Sequence, residues 1–426
     1  KRQVYAAFIL AGGLILHGCN GIFDDLAINP NQPSMGAYFT SPSAVNDAVM
    51  TMYGYMSTQR CLGASGSKTT IIRSDEASSN SDYGKPGMFG ADLNASYYTI
   101  EQPYTLMYTT ASQASYIIET APSVDFSGNE ELRNAYMGEA YFWRAFAHYY
   151  LLINFRNISP IRQMPRNGDD YVRPLEKPAA VWNFIQEDLA HAKELLPVKG
   201  YWDSKNAGRV TKASAAALLG KAYLYRSGIE QYYGEDKTTF YSEAAKEFGD
   251  VIDGKYGTYD LTKNYADNFD VAHENNEESI LEFQFLGDVD NAGFNPGLAT
   301  SGLAFDSRGL MLPGAGVGYE GVVHNWLYNA FVNSVDKDGY TDIRMFSTMI
   351  FNDLDASIHL RNDAGGNPVR LEGPGGYKWE ELYPAKNGKE GFATVSNPLA
   401  HSFKAGIRKG IDCSMPTQTE ADGTPK

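Results

Sequence analysis

The stretch EELRNAYMGEAYFWRAFAHYYLLIN, residues 130–154, constrains the fold more than any other part of this 426-residue chain. Leu132, Ala135, Tyr136, Glu139, Ala140, Trp143, Ala147 and Tyr150 recur at helical spacing and trace a wide, mostly apolar face. A helix with so broad an apolar face must be covered by neighbours on more than one side, so it belongs inside a helical array. Trp143, Phe146 and Tyr150 are expected in its core. Within this helix Gly138-Glu139-Ala140-Tyr141 recurs later as Gly220-Lys221-Ala222-Tyr223. The second copy follows Leu219, giving the L-G-x-x-Y core of a tetratricopeptide helix A, and Ala244 with Phe248 gives the A-x-x-x-F of a helix B. Glycine there lets two backbones approach while tyrosine fills the adjoining groove. Long insertions break the regular period, so the repeats are irregular.

Other helices follow from periodicity and punctuation. The spacing predicts helices over Ser43–Thr58 with Ser43 as N-cap, Tyr104–Thr120 stopped by Pro122, Pro178–Leu196, Thr211–Ser227 and Phe240–Asp253. Beyond Tyr256, Gly, Asn and Pro become frequent. Glu278–Leu286 alternates as a strand, and Phe294–Gly321 reads as extended loop. Asn325–Val335 resumes helix, closed by a turn at Asp336–Gly339, and Asp342–Phe351 adds another. The expected fold is mainly α: an irregular tetratricopeptide-like scaffold at 43–255, followed at 256–426 by a loop-rich region with short helices.

The chain begins KRQVYAAFILAGGLILHGCN. A basic start, an apolar run from Val4 to Leu16 and a small residue before Cys19 have the layout of an export signal, placed at 1–18. Leu16-His17-Gly18-Cys19 resembles a bacterial lipobox, although His17 departs from the usual residue. The resemblance implies cleavage before Cys19 and a diacylglycerol on its thiol, and each buried methylene of the acyl chains adds about 0.8 kcal/mol of membrane affinity. An ordinary signal peptide with a chance cysteine is the alternative. Residues 19–42, rich in turn formers, read as a tether.

The net charge of −15, with no basic block, disfavours nucleic acid as a partner. Aromatics reach 13% of the chain, with 29 Tyr, a composition suited to wet binding surfaces as well as to cores. Enzyme signatures fail on context. Gly316, Gly318 and Gly321 match a dinucleotide string but follow a Pro-Gly loop, and Ser65-Gly66-Ser67-Lys68 lacks the motifs that accompany S-x-x-K in its enzymes. His273-Glu274 lacks a second histidine. Asp288 and Asp290 lack calcium-loop spacing and suit a turn. Cys61 and Cys413 remain once Cys19 is modified, with no CxxC pair; spacing alone does not settle whether they bond. No cofactor or metal is expected.

Taken in order, several segments resemble the SusD/RagB family. They are the lipobox with Asp24-Asp25-Leu26 to Pro33, the helix from Glu139 to Leu151, Arg209–Ala215 followed by Leu218–Leu224, Glu278–Leu281, and Asp342-Ile343-Arg344 in place of D-P-R. The stretch from Asn154 to Pro165 departs from the family's Gly-x-x-Pro-like turn. Members commonly continue into further scaffold helices that the tail of this sequence does not supply. The resemblance implies a surface nutrient-binding lipoprotein of the outer membrane, not an enzyme. It would act as a lid on a SusC-like TonB-dependent transporter and capture an oligosaccharide, or a peptide in some relatives.

Sugar rings present flat C–H faces ringed by hydroxyls, so a site needs an exposed aromatic with polar groups beside it. Residues 73–98 carry such a mixture in a loop context, which makes Arg73, Asp75, Asn80, Tyr83, Tyr97 and Tyr98 candidates, with Trp326 and Trp379 as a second group. Each of these types also serves in core packing or in a solvated loop. A peptide binder of the same fold, a secreted glycoside hydrolase and a protein-interaction scaffold stand as alternatives.

Overall fold

The computed structural model describes residues 39–58, 60–63, 74–75, 77–78, 94–164, 172–234, 236–269, 273–284, 322–342, 344–345, 349–351 and 405–407. Seven α-helices occur among them: α1 (Pro42–Ser57), α2 (Tyr98–Thr120), α3 (Glu130–Phe155), α4 (Pro178–Leu195), α5 (Lys212–Tyr233), α6 (Tyr241–Ile252) and α7 (Asn325–Asn333). Four short strands, β1 (Ala77–Ser78), β2 (Val322–Val323), β3 (Met349–Phe351) and β4 (Ala405–Ile407), form a sheet in the order β1-β2-β4-β3. The fold is mainly α, as the periodicity predicts.

Side-chain pairs fix the sense of packing. Tyr104 meets Phe155 and Ser115 meets Arg144, so α2 and α3 run antiparallel. The Arg144–Asp188 and Tyr149–Trp182 pairs do the same for α3 and α4, and Asn183–Arg226 and Trp182–Glu230 for α4 and α5. Trp143, Trp182, Phe142, Met52, Met56 and Met107 fill the shared core. Phe146 packs at its margin, and Tyr150 is buried.

The repeat signature has a direct physical cause. A methyl group on Gly220 would lie 2.8 Å from the Phe248 ring, and one on Gly138 would lie 2.8 Å from the Leu196 side chain. Each glycine therefore marks a contact where a helix backbone meets the next element's side chain. Ala222 and Ala244 are buried alongside the first of them.

Several expectations change. The N-cap of α1 is Ser41, whose side chain accepts from Ala44, rather than Ser43. Helix α2 runs through Pro103 back to Tyr98, because burial of Thr99, Pro103 and Met107 outweighs the hydrogen bond lost at proline. Helix α5 continues past Ser227 to a left-handed Gly234. Among the described residues of Glu278–Leu286 there is no strand. This segment packs the half-buried Leu281 and Phe283 against the main core and Ile280 against a second cluster, while the Ile280 carbonyl accepts from Ser214, so alternation here records packing between helices without a partner strand. Met349–Phe351, expected as helix, is strand β3 on β4.

Candidate functional site

The side chains that carry the family-like motifs turn out to join helices. Arg209 donates to Glu139 Oε1 at 2.7 Å through Nη2 and to Asn46 at 2.8 Å through Nη1; its guanidinium lies 4.2 Å from the Trp202 ring centre. Tyr53 donates to Glu139 Oε2 at 2.6 Å and accepts from the Val210 N–H. Burial pushes the Glu139 carboxyl up, and Arg209 and Tyr53 offset part of that push. Arg144 forms a two-pronged pair with Asp188, both contacts 2.7 Å, and its carbonyl receives His148 Nδ1–H. His148 Nε2 in turn accepts from the Ile161 N–H, which assigns the neutral tautomer with the proton on Nδ1. Burial depresses the His148 pKa to about 3. These groups are buried and mutually satisfied, as a scaffold requires.

Exposed chemistry gathers elsewhere. Strand β1 pairs antiparallel with β2, setting Ala77 opposite Val323 and Ser78 opposite Val322. That pairing brings Asp75 to the start of α7, where Trp326 Nε1–H donates to the Asp75 carbonyl at 2.5 Å. Trp326 is 48% exposed, while Tyr328, two residues on, is buried and roots the helix. The indole N–H is thus committed within the protein and the ring is held at the surface. Tyr97 and Tyr98 form a second contact at the start of α2, their half-buried rings 5.0 Å apart and tilted by 48°. The described contacts unite Asp75 with Trp326 and Tyr97 with Tyr98.

Asp75, a candidate for its polar side chain, enters this contact through its backbone carbonyl, which no side-chain pattern signals. Cys19, Arg73, Asn80, Tyr83 and Trp379 lie outside the described residues, as do Cys413, Asp288 and Asp290. Cys61 is a buried free thiol whose pKa burial pushes up to about 12. Among the described residues no helix is long and apolar enough to cross a membrane.

Residues 27–224 match the SusD-like family described as "Starch-binding associating with outer membrane". A SusD-like protein of Bacteroides ovatus is 26% identical over 282 residues, covering 65% of this chain and 49% of that protein. Over residues 27–224 the chain is SusD-like. SusD-like protein P2 of Formosa agariphila is also 26% identical, over 66% of this chain and 53% of its own length. The chain thus spans about half the length of these curated relatives. Among solved structures, a SusD superfamily protein from Bacteroides vulgatus superposes with a TM-score of 0.61 at 19% identity, covering 88% of this chain and 68% of that one. A laminarin-binding SusD-like protein superposes at 0.56 with 21% identity, covering 73% and 67% respectively. At these identities the superpositions speak for the fold. The matched 27–224 segment contains the Arg144–Asp188 and Arg209–Glu139 ion pairs that join the helices.

Proposed function

We propose that this chain binds a neutral glycan at the outer surface of the cell through Trp326 and the loop joined to it, and performs no chemistry on it. The observation that carries the reading is a tryptophan whose polar atom is used internally while its ring remains half open. Such a residue offers a ligand a flat apolar face, the element that complements the C–H side of a pyranose. Covering about 50–100 Å² of apolar surface there contributes about 1–3 kcal/mol. Family description and relatives point the same way: the family is described as starch-binding, and a structural neighbour binds laminarin. Catalysis lacks support among the described residues. The two carboxyls that burial pushes up, Glu139 and Asp188, are each clamped by an arginine inside the helical core.

Within this proposal Cys19 carries the lipid anchor, the chain sits on the outer membrane, and a SusC-like TonB-dependent transporter receives the glycan as this protein closes over it. Calorimetric titration with maltoheptaose, laminarihexaose and a peptide of mixed sequence tests the ligand class. Heat of binding from an oligosaccharide alone supports the proposal. Binding of the peptide alone moves the chain to the peptide-binding alternative, and release of reducing sugar by the purified protein makes it a hydrolase. Copurification of a β-barrel transporter from outer membranes tests the partner.

A further inference from the structure

A second aromatic surface lies where α3 and α5 end. Helix α3 stops at Arg156, whose backbone takes φ 62° and ψ −67° while the Asn157 N–H donates to the Phe155 carbonyl at 2.7 Å. This is a γ-turn of positive φ, a conformation that L-residues seldom adopt and that persists only where surroundings enforce it. The enforcement is visible. Arg156 Nη1 and Nη2 donate to the two oxygens of Glu230 at 2.8 and 2.7 Å, and Trp182 Nε1–H donates to the same carboxylate at 2.8 Å. Held so, the guanidinium lies 4.2 Å from the centre of the Tyr233 ring. Tyr232 meets Tyr233 edge to face, with centres 5.2 Å apart and planes at 88°. Both rings are open to solvent, Tyr232 at 84% and Tyr233 at 58%.

We infer that Tyr232, Tyr233 and Arg156 form a second carbohydrate-stacking surface, sharing none of the Trp326 contacts. Two tyrosines at right angles make a corner in which one ring can face the C–H side of a sugar while phenolic groups reach its hydroxyls. The cation beneath is neutralised by Glu230, so the corner favours a neutral ligand over a charged peptide. Arg156 braces Tyr233 from below, which lowers the cost of ordering that ring when a ligand arrives. The glycan class rests on the function proposed above, and a second surface would add avidity for polymers over short oligosaccharides.

Affinity electrophoresis of the full chain through gels containing soluble starch or laminarin tests this, alongside calorimetry with maltotriose and laminaritriose. Replacing both tyrosines, Tyr232→Ala with Tyr233→Ala, is expected to weaken retardation by the retaining polymer about tenfold or more while trisaccharide affinity at Trp326 stays unchanged. Tyr232→Ala alone, which leaves the Arg156 contact intact, should give part of that loss. Circular dichroism of each variant confirms the helical fold. If the double tyrosine variant is retarded like the wild type while Trp326→Ala is not, the second surface is refuted and the Trp326 reading stands. If the tyrosine variant loses retardation and Trp326→Ala does not, the second surface stands and the Trp326 assignment falls. A wild-type chain retarded by neither polymer refutes both.

Discussion

Replacing Arg209 by methionine should unfold this scaffold more readily than any change at a surface ion pair. Arg209 reaches both Glu139 oxygens, with contacts of 2.7 to 3.2 Å, and also holds Asn46. Methionine would leave Glu139, which has no solvent access, with the Tyr53 hydroxyl as its donor. Removing one partner of a buried pair costs about 3–5 kcal/mol, because the other charge stays buried without compensation. Arg162→Met breaks the Arg162–Glu176 pair, whose side chains are 40% and 32% exposed, and should cost about 1 kcal/mol or less. Replacing both members, Glu139→Met with Arg209→Met, removes the stranded charge. It should recover most of the loss, since apolar substitutes of similar volume are often neutral. Equilibrium denaturation reads all three as shifts of the urea midpoint at unchanged slope. Arg209→Met losing no more stability than Arg162→Met, or a double variant losing the sum of the two single losses, would show that Glu139 is not left as an uncompensated buried charge.

Further outcomes follow from the packing and the buried imidazole. Gly220→Ala should destabilise by about 1–3 kcal/mol, since the new methyl lies 2.8 Å from the Phe248 ring. Gly228→Ala in the same helix meets nothing within 4 Å and should stabilise by about 0.5–1 kcal/mol, both read as denaturation midpoints. His148, neutral when folded with its pKa near 3, binds its proton in the unfolded chain once pH falls below about 6.5. Stability should therefore drop as pH falls from 6.5 towards 5, approaching about 1.4 kcal/mol per unit from this group. His148→Gln should flatten that slope at some cost in overall stability. Arg144, Arg162 and Arg173 near the ring all oppose its protonation, in keeping with the same sign.

The scaffold was legible in the sequence because helix packing leaves a periodic record. The face through Ala135, Ala140, Trp143 and Ala147 is buried, and the Gly220 and Phe248 signature corresponds to a real close approach. Glu139 lay on the same face, and its period gave the direction, but nothing in one sequence named Arg209, seventy residues away, as its partner. The proposed binding surface was harder to read. Trp326 and Asp75 are 251 residues apart and meet through a strand pairing two residues long, too short for alternation to register. Tyr232 and Tyr233 escaped because the helix was expected to stop at Ser227. A glycine at 228 reads as an end, yet it is carried within α5 to Gly234. Glu278–Leu286 misled for the opposite reason: alternation reports a buried face, and only a neighbouring strand makes it a sheet.

The proposed glycan site depends on an indole ring, pinned by the Asp75 carbonyl, that offers its face to a sugar. Calorimetry of Trp326→Phe and Trp326→Ala against whichever of maltoheptaose and laminarihexaose the wild type binds tests it most directly. Phenylalanine keeps an aromatic face and should retain affinity within about tenfold, whereas alanine, losing about 1–3 kcal/mol of stacking, should weaken binding by about tenfold or more. Equal, wild-type affinity in both variants would contradict the claim.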